Sequence, residues 1–389
     1  MAAAGATARS LTLDGLRGVA ALLVCAGHLR AAMLVSMAEQ ASPSLLNKLL
    51  YLLTGLGHQA VMVFFVLSGY LVGGSVLNAG ANFTWRRYGE ARLSRLWTVL
   101  LPCLALTWLA DMATAQIQPA VLGGAGARLW ASGPQAGQYD VSAWVALGNV
   151  FFVQTLLVPV FGSNGPLWSL ANEFWYYVLF PLMLLAVPGA RTLGTGGWQR
   201  GAAALVCAGL LWWLPAEMLF GFVIWLMGVA TFVLRQRIDL TPSLARLLRH
   251  RMSSWACALL ALGALLFSNA TANRNWGVPW GDLVLGLAVA IWLLPALSRE
   301  RGVPESGARS LGMRAVHRLS DMSFSLYLSH FPVVVLAGAL LGYPVRSQPV
   351  LSGWGVYGAV FILLIGVAWL IWHLFEQHTP RVRRWLSLL

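Results

Sequence analysis

Two ionisable residues, Arg17 and His28, lie inside the first long apolar run of the chain. At about 100° per residue they fall within about 20° of one helical face, about 16 Å apart along the axis. Asp14 lies on the same face, one turn before Arg17, where a carboxylate can pair with the guanidinium. A guanidinium suits phosphate groups, and an imidazole can take a proton near neutral pH. The alternatives are an arginine that only sets membrane orientation and a core histidine that a neighbour satisfies.

A second carboxylate and a second imidazole are predicted inside the membrane. Glu173 should lie about 8 Å below the outer face, and His28 about 22 Å above the inner face of a core about 30 Å thick. These depths agree, so Glu173 is predicted to meet His28. Ser323, Tyr327 and His330 are spaced to form one polar, inward face of a later helix. The alternatives are a carboxylate placed for the helix dipole and an interhelical hydrogen bond of His330.

A short segment after the second apolar run is rich in arginine. It reads WRRYGEARLSR and contains Arg86, Arg87, Arg92 and Arg95. Because the guanidinium fork matches phosphate oxygens, this loop is a candidate phosphate-binding segment. The alternative is the ordinary enrichment of cytoplasmic loops in basic residues.

The composition indicates that these groups belong to a membrane protein. Of 389 residues, 58% are hydrophobic and only 10% are charged, against about 25% charged in soluble domains. These values exclude a soluble globular domain and a disordered chain, and the long continuous apolar runs exclude an outer-membrane barrel. The net charge of +13 would suggest nucleic acid in a soluble protein. Here we assign it to cytoplasmic loops and expect no nucleic-acid partner.

The apolar runs predict an all-α polytopic protein with about ten transmembrane helices. The expected spans are about 13–35, 57–78, 95–114, 167–187, 201–215, 218–235, 253–270, 281–298, 320–342 and 354–375. The stretch 143–161 is an alternative eleventh span, which would invert the orientation of the chain after it. Because it carries Asn149, Gln154 and Pro159, we expect a helix at or dipping into the outer face.

The distribution of basic residues predicts the orientation. With ten spans, both termini are expected in the cytoplasm, because few of the 26 basic residues then lie outside. Those in outer segments are Lys48, Arg128, Arg274 and Arg346. Residues 115–166 are expected to form an irregular cap on the outer face between helices 3 and 4. We predict a single membrane domain over 1–389, with no fused soluble domain.

The order of motifs resembles that of the acyltransferase 3 family, membrane-bound acyl-CoA-dependent O-acyltransferases. The motifs are Arg17 and His28 in LDGLRGVAALLVCAGH, FFVLSGY (Phe64 to Tyr70), the loop Arg86 to Arg95, GPLWSLANEFWYY (Gly165 to Tyr177), SFSLYLSHFP (Ser323 to Pro332), and Phe375, Glu376 and Pro380 near the end. The last motif has one residue more before its proline than the family's usual ending, which leaves the role of the tail open. The resemblance extends from Leu13 to about Pro380.

This resemblance implies a reaction. The family passes an acyl group, usually acetyl, from cytoplasmic acyl-CoA to a hydroxyl of a sugar or similar acceptor, often at the outer side of the inner membrane. It implies an inner-membrane protein whose partners are acyl-CoA, a carbohydrate or glycoside acceptor and the lipid bilayer. Acyl-CoA is a co-substrate, and we expect no permanently bound cofactor and no metal.

The motifs and the charge pattern together give a set of candidate site residues. The expected catalytic residues are His28, as general base, with Glu173, Arg17 and Asp14. The expected acyl-CoA-binding residues are Arg17, Arg86, Arg92, Arg95 and Ser68. The expected lining of the acyl and acceptor pocket is Tyr70, Trp168, Ser169, Tyr177, Ser325, Tyr327 and His330.

Two other functions are compatible with the composition. One is a transporter or exporter that uses the ionisable residues as a proton relay, and the other is a non-catalytic scaffold or sensor. We find neither the internal repeats nor the paired broken helices of many transporters, and a scaffold would not need six inward polar motifs. For an acyltransferase we expect direct transfer without a covalent acyl-enzyme, because no activated nucleophile stands out. Cys25, for example, lies in an apolar run, where little thiolate forms.

Overall fold

A computed structural model describes residues 9–125, 130–187, 197–271, 279–300 and 311–388. These residues form a helical bundle without a β-strand. The helices are α1 (Leu11–Met33), α2 (Leu45–Thr54), α3 (Gly57–Ser68), α4 (Gly74–Ala79), α5 (Trp85–Ile117), α6 (Pro119–Leu122), α7 (Ala143–Val150), α8 (Leu167–Ala186), α9 (Gly197–Trp213), α10 (Ala216–Asp239), α11 (Pro242–Arg249), α12 (Arg251–Thr271), α13 (Trp280–Glu300), α14 (Leu311–Asp321), α15 (Ser323–Leu340), α16 (Leu351–Leu374) and α17 (Thr379–Leu386).

Among the described residues, eight helical segments are long and apolar enough to cross a membrane. They are Leu11–Met33, Leu45–Asn82, Trp85–Ile117, Ala216–Asp239, Arg251–Thr271, Trp280–Glu300, Ser323–Leu340 and Leu351–Leu386. Each overlaps one of the predicted spans, so the prediction of a polytopic helical protein is confirmed. The other two predicted spans are also helices, α8 and the 17-residue α9, but neither is among these eight. The count of ten spans and the cytoplasmic position of both termini therefore stay predictions.

The stretch 143–161 forms only a short helix. Helix α7 has eight residues, about 12 Å in length, which is too short to cross a bilayer. The chain then turns through Phe152 and Thr155, both with positive φ, and stays irregular up to α8. This agrees with the prediction that the stretch does not span. Several basic residues of the orientation argument, Arg128, Arg191, Arg274, Arg301 and Arg309, lie outside the described residues.

Helices α3 and α10 cross with their backbones in close approach. A side chain at Gly69 would collide with the carbonyl oxygen of Trp225, and one at Gly228 would collide with that of Val66. At this crossing α3 continues as a π-helical segment, Gly69–Gly73, before α4 begins. Such single-turn π-helical segments are frequent at functional sites. Here the segment directly follows Ser68.

Helix α15 lies at the centre of the bundle and is the most buried of the eight segments. It packs against α1, α5 and α16, and its polar residues Ser323, Tyr327 and His330 are all buried. The predicted inward polar face of this helix is therefore confirmed. Helices α12 and α16 lie at the periphery, where few of their residues are buried.

Candidate active site

A cavity of about 180 Å³ lies between α1, α3, α5, α8 and α15. Its polar lining residues are Arg17, Ser68, Arg92, Arg95, Ser169, Glu173, Tyr177, Ser323 and Tyr327. Apolar side chains, Phe64, Phe65 and Phe324 among them, complete the wall. Motifs that are far apart in the sequence therefore converge on one cavity.

Three arginines line this cavity without an ionic partner. Among the described residues, no group hydrogen-bonds Arg17, Arg92 or Arg95, and Nε of Arg92 is buried. The guanidinium of Arg92 lies over the rings of Tyr88 (5.7 Å) and Tyr177 (6.0 Å). Cations without a salt-bridge partner in a partly buried site are costly unless an anion balances their charge. The cluster is therefore suited to bind phosphate.

A hydrogen-bonded group that includes Glu173 forms another part of the cavity wall. Ser68 Oγ donates to Glu173 Oε1 at 2.8 Å, and the hydroxyl of Tyr177 donates to the same oxygen. Trp225 Nε1 donates to Ser68 Oγ at 3.1 Å. The orientation of the Ser68 hydroxyl is thus fixed by one donor and one acceptor. Trp225 lies in an apolar run and carried no signal in the sequence.

His28 and His330 form a direct hydrogen bond, with Nδ1 of His28 at 2.8 Å from Nε2 of His330. The partners of His330 fix the tautomers of the neutral pair. Nδ1 of His330 faces the carbonyl oxygens of Leu326 (3.0 Å) and Tyr327 (2.8 Å), which only accept, so it carries the proton. Nε2 of His330 then accepts from His28. The lone pair on Nε2 of His28 is unused by any described group, as a general base requires.

The histidine pair adjoins the cavity but does not line it. Tyr327, whose carbonyl oxygen accepts from His330, lines the cavity with its phenol. That phenol hydrogen-bonds Ser169 Oγ at 2.6 Å, and its ring packs edge-on against Phe64. Tyr327 therefore contacts both the cavity and the histidine pair.

The predicted contact between Glu173 and His28 is wrong. Glu173 is bound by Ser68 and Tyr177, and the partner of His28 is His330. The depth argument fixed the height of each residue along its helix but not the direction in which its side chain points. Helix α8 packs against α3 and the π-segment, so the Glu173 carboxylate meets Ser68.

The predicted pairing of Asp14 with Arg17 is also wrong. Asp14 accepts from Arg9 Nε (2.9 Å), His317 Nδ1 (2.7 Å) and Ser320 Oγ (2.7 Å). These bonds fasten the start of α1 to α14, while Arg17 faces the cavity. The pKa of the Arg9 guanidinium is raised, chiefly by its hydrogen bond to Asp321 and next by its hydrogen bond to Asp14. Asp14 therefore has a structural role, because it holds the start of α1 against α14.

Several other predicted residues are not brought to the cavity. Arg86 is exposed and bonds Glu90 (2.9 Å) and the carbonyl of Ser387 (3.0 Å). Tyr70 packs against Phe232. Neither contributes to the cavity lining.

Trp168 and Ser325 do not line the cavity either. Trp168 packs against Phe65. Glu376 Oε2 accepts from the backbone N–H of Ser325 (3.2 Å) and from its hydroxyl (2.6 Å), so the tail glutamate caps the first turn of α15. The motif at the end of the sequence pointed to Glu376, but its spacing did not reveal this role.

Comparison with known proteins supports one family. The profile of the acyltransferase 3 family, described as an acyltransferase domain, matches residues 11–373. The chain is similar to acyltransferase MdmB of Streptomyces mycarofaciens, at 26% identity over 377 residues, which cover 92% of this chain and 87% of that protein. No solved structure matches the chain significantly. Because the family profile extends over nearly all of the helical bundle and its cavity, the chain belongs to the acyltransferase 3 family and is a multi-pass membrane acyltransferase.

Proposed function

We propose that the protein transfers an acyl group, most simply acetyl, from cytoplasmic acyl-CoA to a hydroxyl of a sugar or glycoside at the outer side of the inner membrane. The observation that carries this proposal is the cavity with three unpaired arginines next to an oriented histidine pair. Arg17 and His28 are separated by about 16 Å along α1. The pantetheine arm of acyl-CoA is long enough to bridge that separation while its phosphates stay at the arginines.

In the donor site, Arg17, Arg92 and Arg95 bind the phosphate groups. Charge-assisted bonds from guanidinium to phosphate are strong and can be bidentate. Arg86 is not needed for this role, because Glu90 and a tail carbonyl already occupy it. Ser68 and Glu173, on the cavity wall, are placed to contact the pantetheine arm.

His28 acts as the general base. Its Nε2 removes the proton of the acceptor hydroxyl, whose oxygen attacks the thioester carbonyl. The resulting oxyanion is stabilised by hydrogen-bond donors, with the Tyr327 phenol next to the site. As the intermediate collapses, the carbon–sulfur bond breaks and the imidazolium returns its proton to the departing thiolate. His330 holds the ring of His28 in the tautomer that this step needs.

The experiment is acyl transfer by the purified protein. The protein in detergent or nanodiscs is incubated with acetyl-CoA and a panel of glycosides, and both the free thiol of CoA and the mass of the glycosides are followed. We expect thiol release that depends on an acceptor, with one acetyl group added per thiol. Thiol release unaffected by any acceptor, or none at all from folded protein, would contradict the proposal. Comparing the glycans of the host with and without the gene identifies the natural acceptor class.

A further inference from the structure

Helix α15 contains a proline that leaves one of its backbone carbonyls without its helical partner. In an α-helix the carbonyl of Leu328 would accept from the backbone N–H of residue 332, and that residue is Pro332. Proline has no N–H, and its ring pushes the carbonyl away from the helix axis. Inside a membrane protein such a carbonyl needs another donor, because an unsatisfied group is costly there.

Asn164, in the loop before α8, supplies that donor. Its Nδ2 donates to the Leu328 carbonyl at 2.9 Å and to Thr107 Oγ1 at 3.1 Å. The Thr107 hydroxyl donates its own hydrogen to the carbonyl of Cys103 at 2.8 Å, so it can only accept from Asn164. Both amide hydrogens of Asn164 are therefore used, and the side chain is fully buried.

The loop that carries Asn164 is itself held in place by Asp111. Asp111 accepts from the backbone N–H of Ser163 at 2.8 Å and from its hydroxyl at 2.5 Å. Gly162 has φ of +56°, and a side chain there would collide with the Asp111 carboxylate. The loop is thus anchored to α5 next to the residue that reaches α15.

We infer that Asn164 is a positioning residue for the histidine pair. Leu328 lies between Tyr327 and His330, so the bond from Asn164 to its carbonyl fixes α15 at the turn that presents His330 to His28. A shift of about 1 Å in such a group can cost on the order of a hundredfold in rate. The inference rests on the proposed function, since it assigns the positioning of the general base.

The experiment is a double-mutant cycle between Asn164 and Pro332. In Asn164→Ala the Leu328 carbonyl is orphaned, and kcat for acyl transfer should fall on the order of tenfold or more, with KM for acetyl-CoA little changed. Asn164→Asp, which keeps the shape but removes the donor, should be at least as impaired. Pro332→Ala restores a backbone N–H to that carbonyl. In the Pro332→Ala background, loss of Asn164 should therefore cost much less, no more than about two- to threefold.

Asn47→Ala is the matched control, since Asn47 also donates from Nδ2 to a backbone carbonyl, that of Pro349, at 3.1 Å but away from the cavity. It should keep wild-type kcat. Equal losses of kcat on removing Asn164 in the wild-type and Pro332→Ala backgrounds would overturn the inference, as would wild-type kcat in Asn164→Ala. A wild-type protein that transfers no acyl group would instead refute the proposed function itself.

Discussion

The arginines around the cavity differ from Arg86 in one measurable respect. Arg17 and Arg92 line the cavity without an ionic partner among the described residues, whereas Arg86 is exposed and paired with Glu90. We predict that Arg17→Ala and Arg92→Ala each weaken acyl-CoA binding by about ten- to a hundredfold. This is the loss in affinity expected when one hydrogen bond to a charged group is removed. Arg17→Lys should also weaken it, because an ammonium cannot form the bidentate contact.

Calorimetric titration of acetyl-CoA into each purified variant measures this effect. Arg86→Ala is the matched control and should bind acetyl-CoA like the wild type. Unchanged affinity in Arg17→Ala and Arg92→Ala, or an equal loss in all of the variants, would show that the cavity arginines do not bind the donor.

The hydroxyl and thiol groups around the site carry a prediction about the reaction pathway. The hydrogen-bond partners of the Ser68 hydroxyl are Glu173, Tyr177 and Trp225, so among the described residues it lacks the histidine base of a typical serine nucleophile. Cys25 is fully buried among apolar side chains, where little thiolate forms. We predict direct transfer, so incubation with acetyl-labelled acetyl-CoA and no acceptor should leave the protein unlabelled in intact mass spectra. A stoichiometric acetyl adduct that disappears when acceptor is added would instead indicate a two-step route.

At the scale of elements, the close crossing of α3 and α10 is the most sensitive to substitution. Because a Cβ at Gly69 meets the Trp225 carbonyl, Gly69→Ala must separate the two helices and displace Ser68. We expect it to lower the thermal unfolding temperature markedly, or to prevent recovery of monodisperse protein. Gly89→Ala is the control, since a Cβ there meets nothing within 4 Å in α5. It should be neutral or stabilise by about 0.5–1 kcal/mol. Equal unfolding temperatures for both variants would show that the crossing is not tight.

The sequence predicted the helical elements better than their contacts. Apolar length predicted the eight spanning segments, and periodicity predicted the polar face of α15 with Tyr327 and His330, because both depend on local properties of one helix. The contact of Glu173 with Ser68 was missed, because it depends on the rotation of α8 against α3. The bond from Asn164 to Leu328 was missed for a similar reason, since it joins a loop to a helix more than a hundred residues away.

At the scale of the whole molecule, the distribution of basic residues predicts both termini in the cytoplasm. A fluorescent protein fused to the C-terminus should then fluoresce in a bacterial host, since it folds in the cytoplasm. Alkaline phosphatase at the same position should be inactive, because it requires export. Active phosphatase with no fluorescence would show that the C-terminus lies outside. The predicted orientation would then be wrong, and the arginine cavity would face away from cytoplasmic acyl-CoA.

The proposed mechanism depends above all on His28 as the general base, and acyl transfer by matched histidine variants is the decisive measurement. Transfer of labelled acetyl from acetyl-CoA to a glycoside acceptor is measured for wild-type protein, His28→Ala and His373→Ala, each confirmed as monodisperse. His373 stacks on Trp369, away from the cavity, and its variant should match the wild type. If His28 is the general base, the activity of His28→Ala should be about 10²- to 10⁴-fold lower than that of the wild type, the usual contribution of such a group. Transfer by folded His28→Ala at a rate near that of the wild type would contradict it.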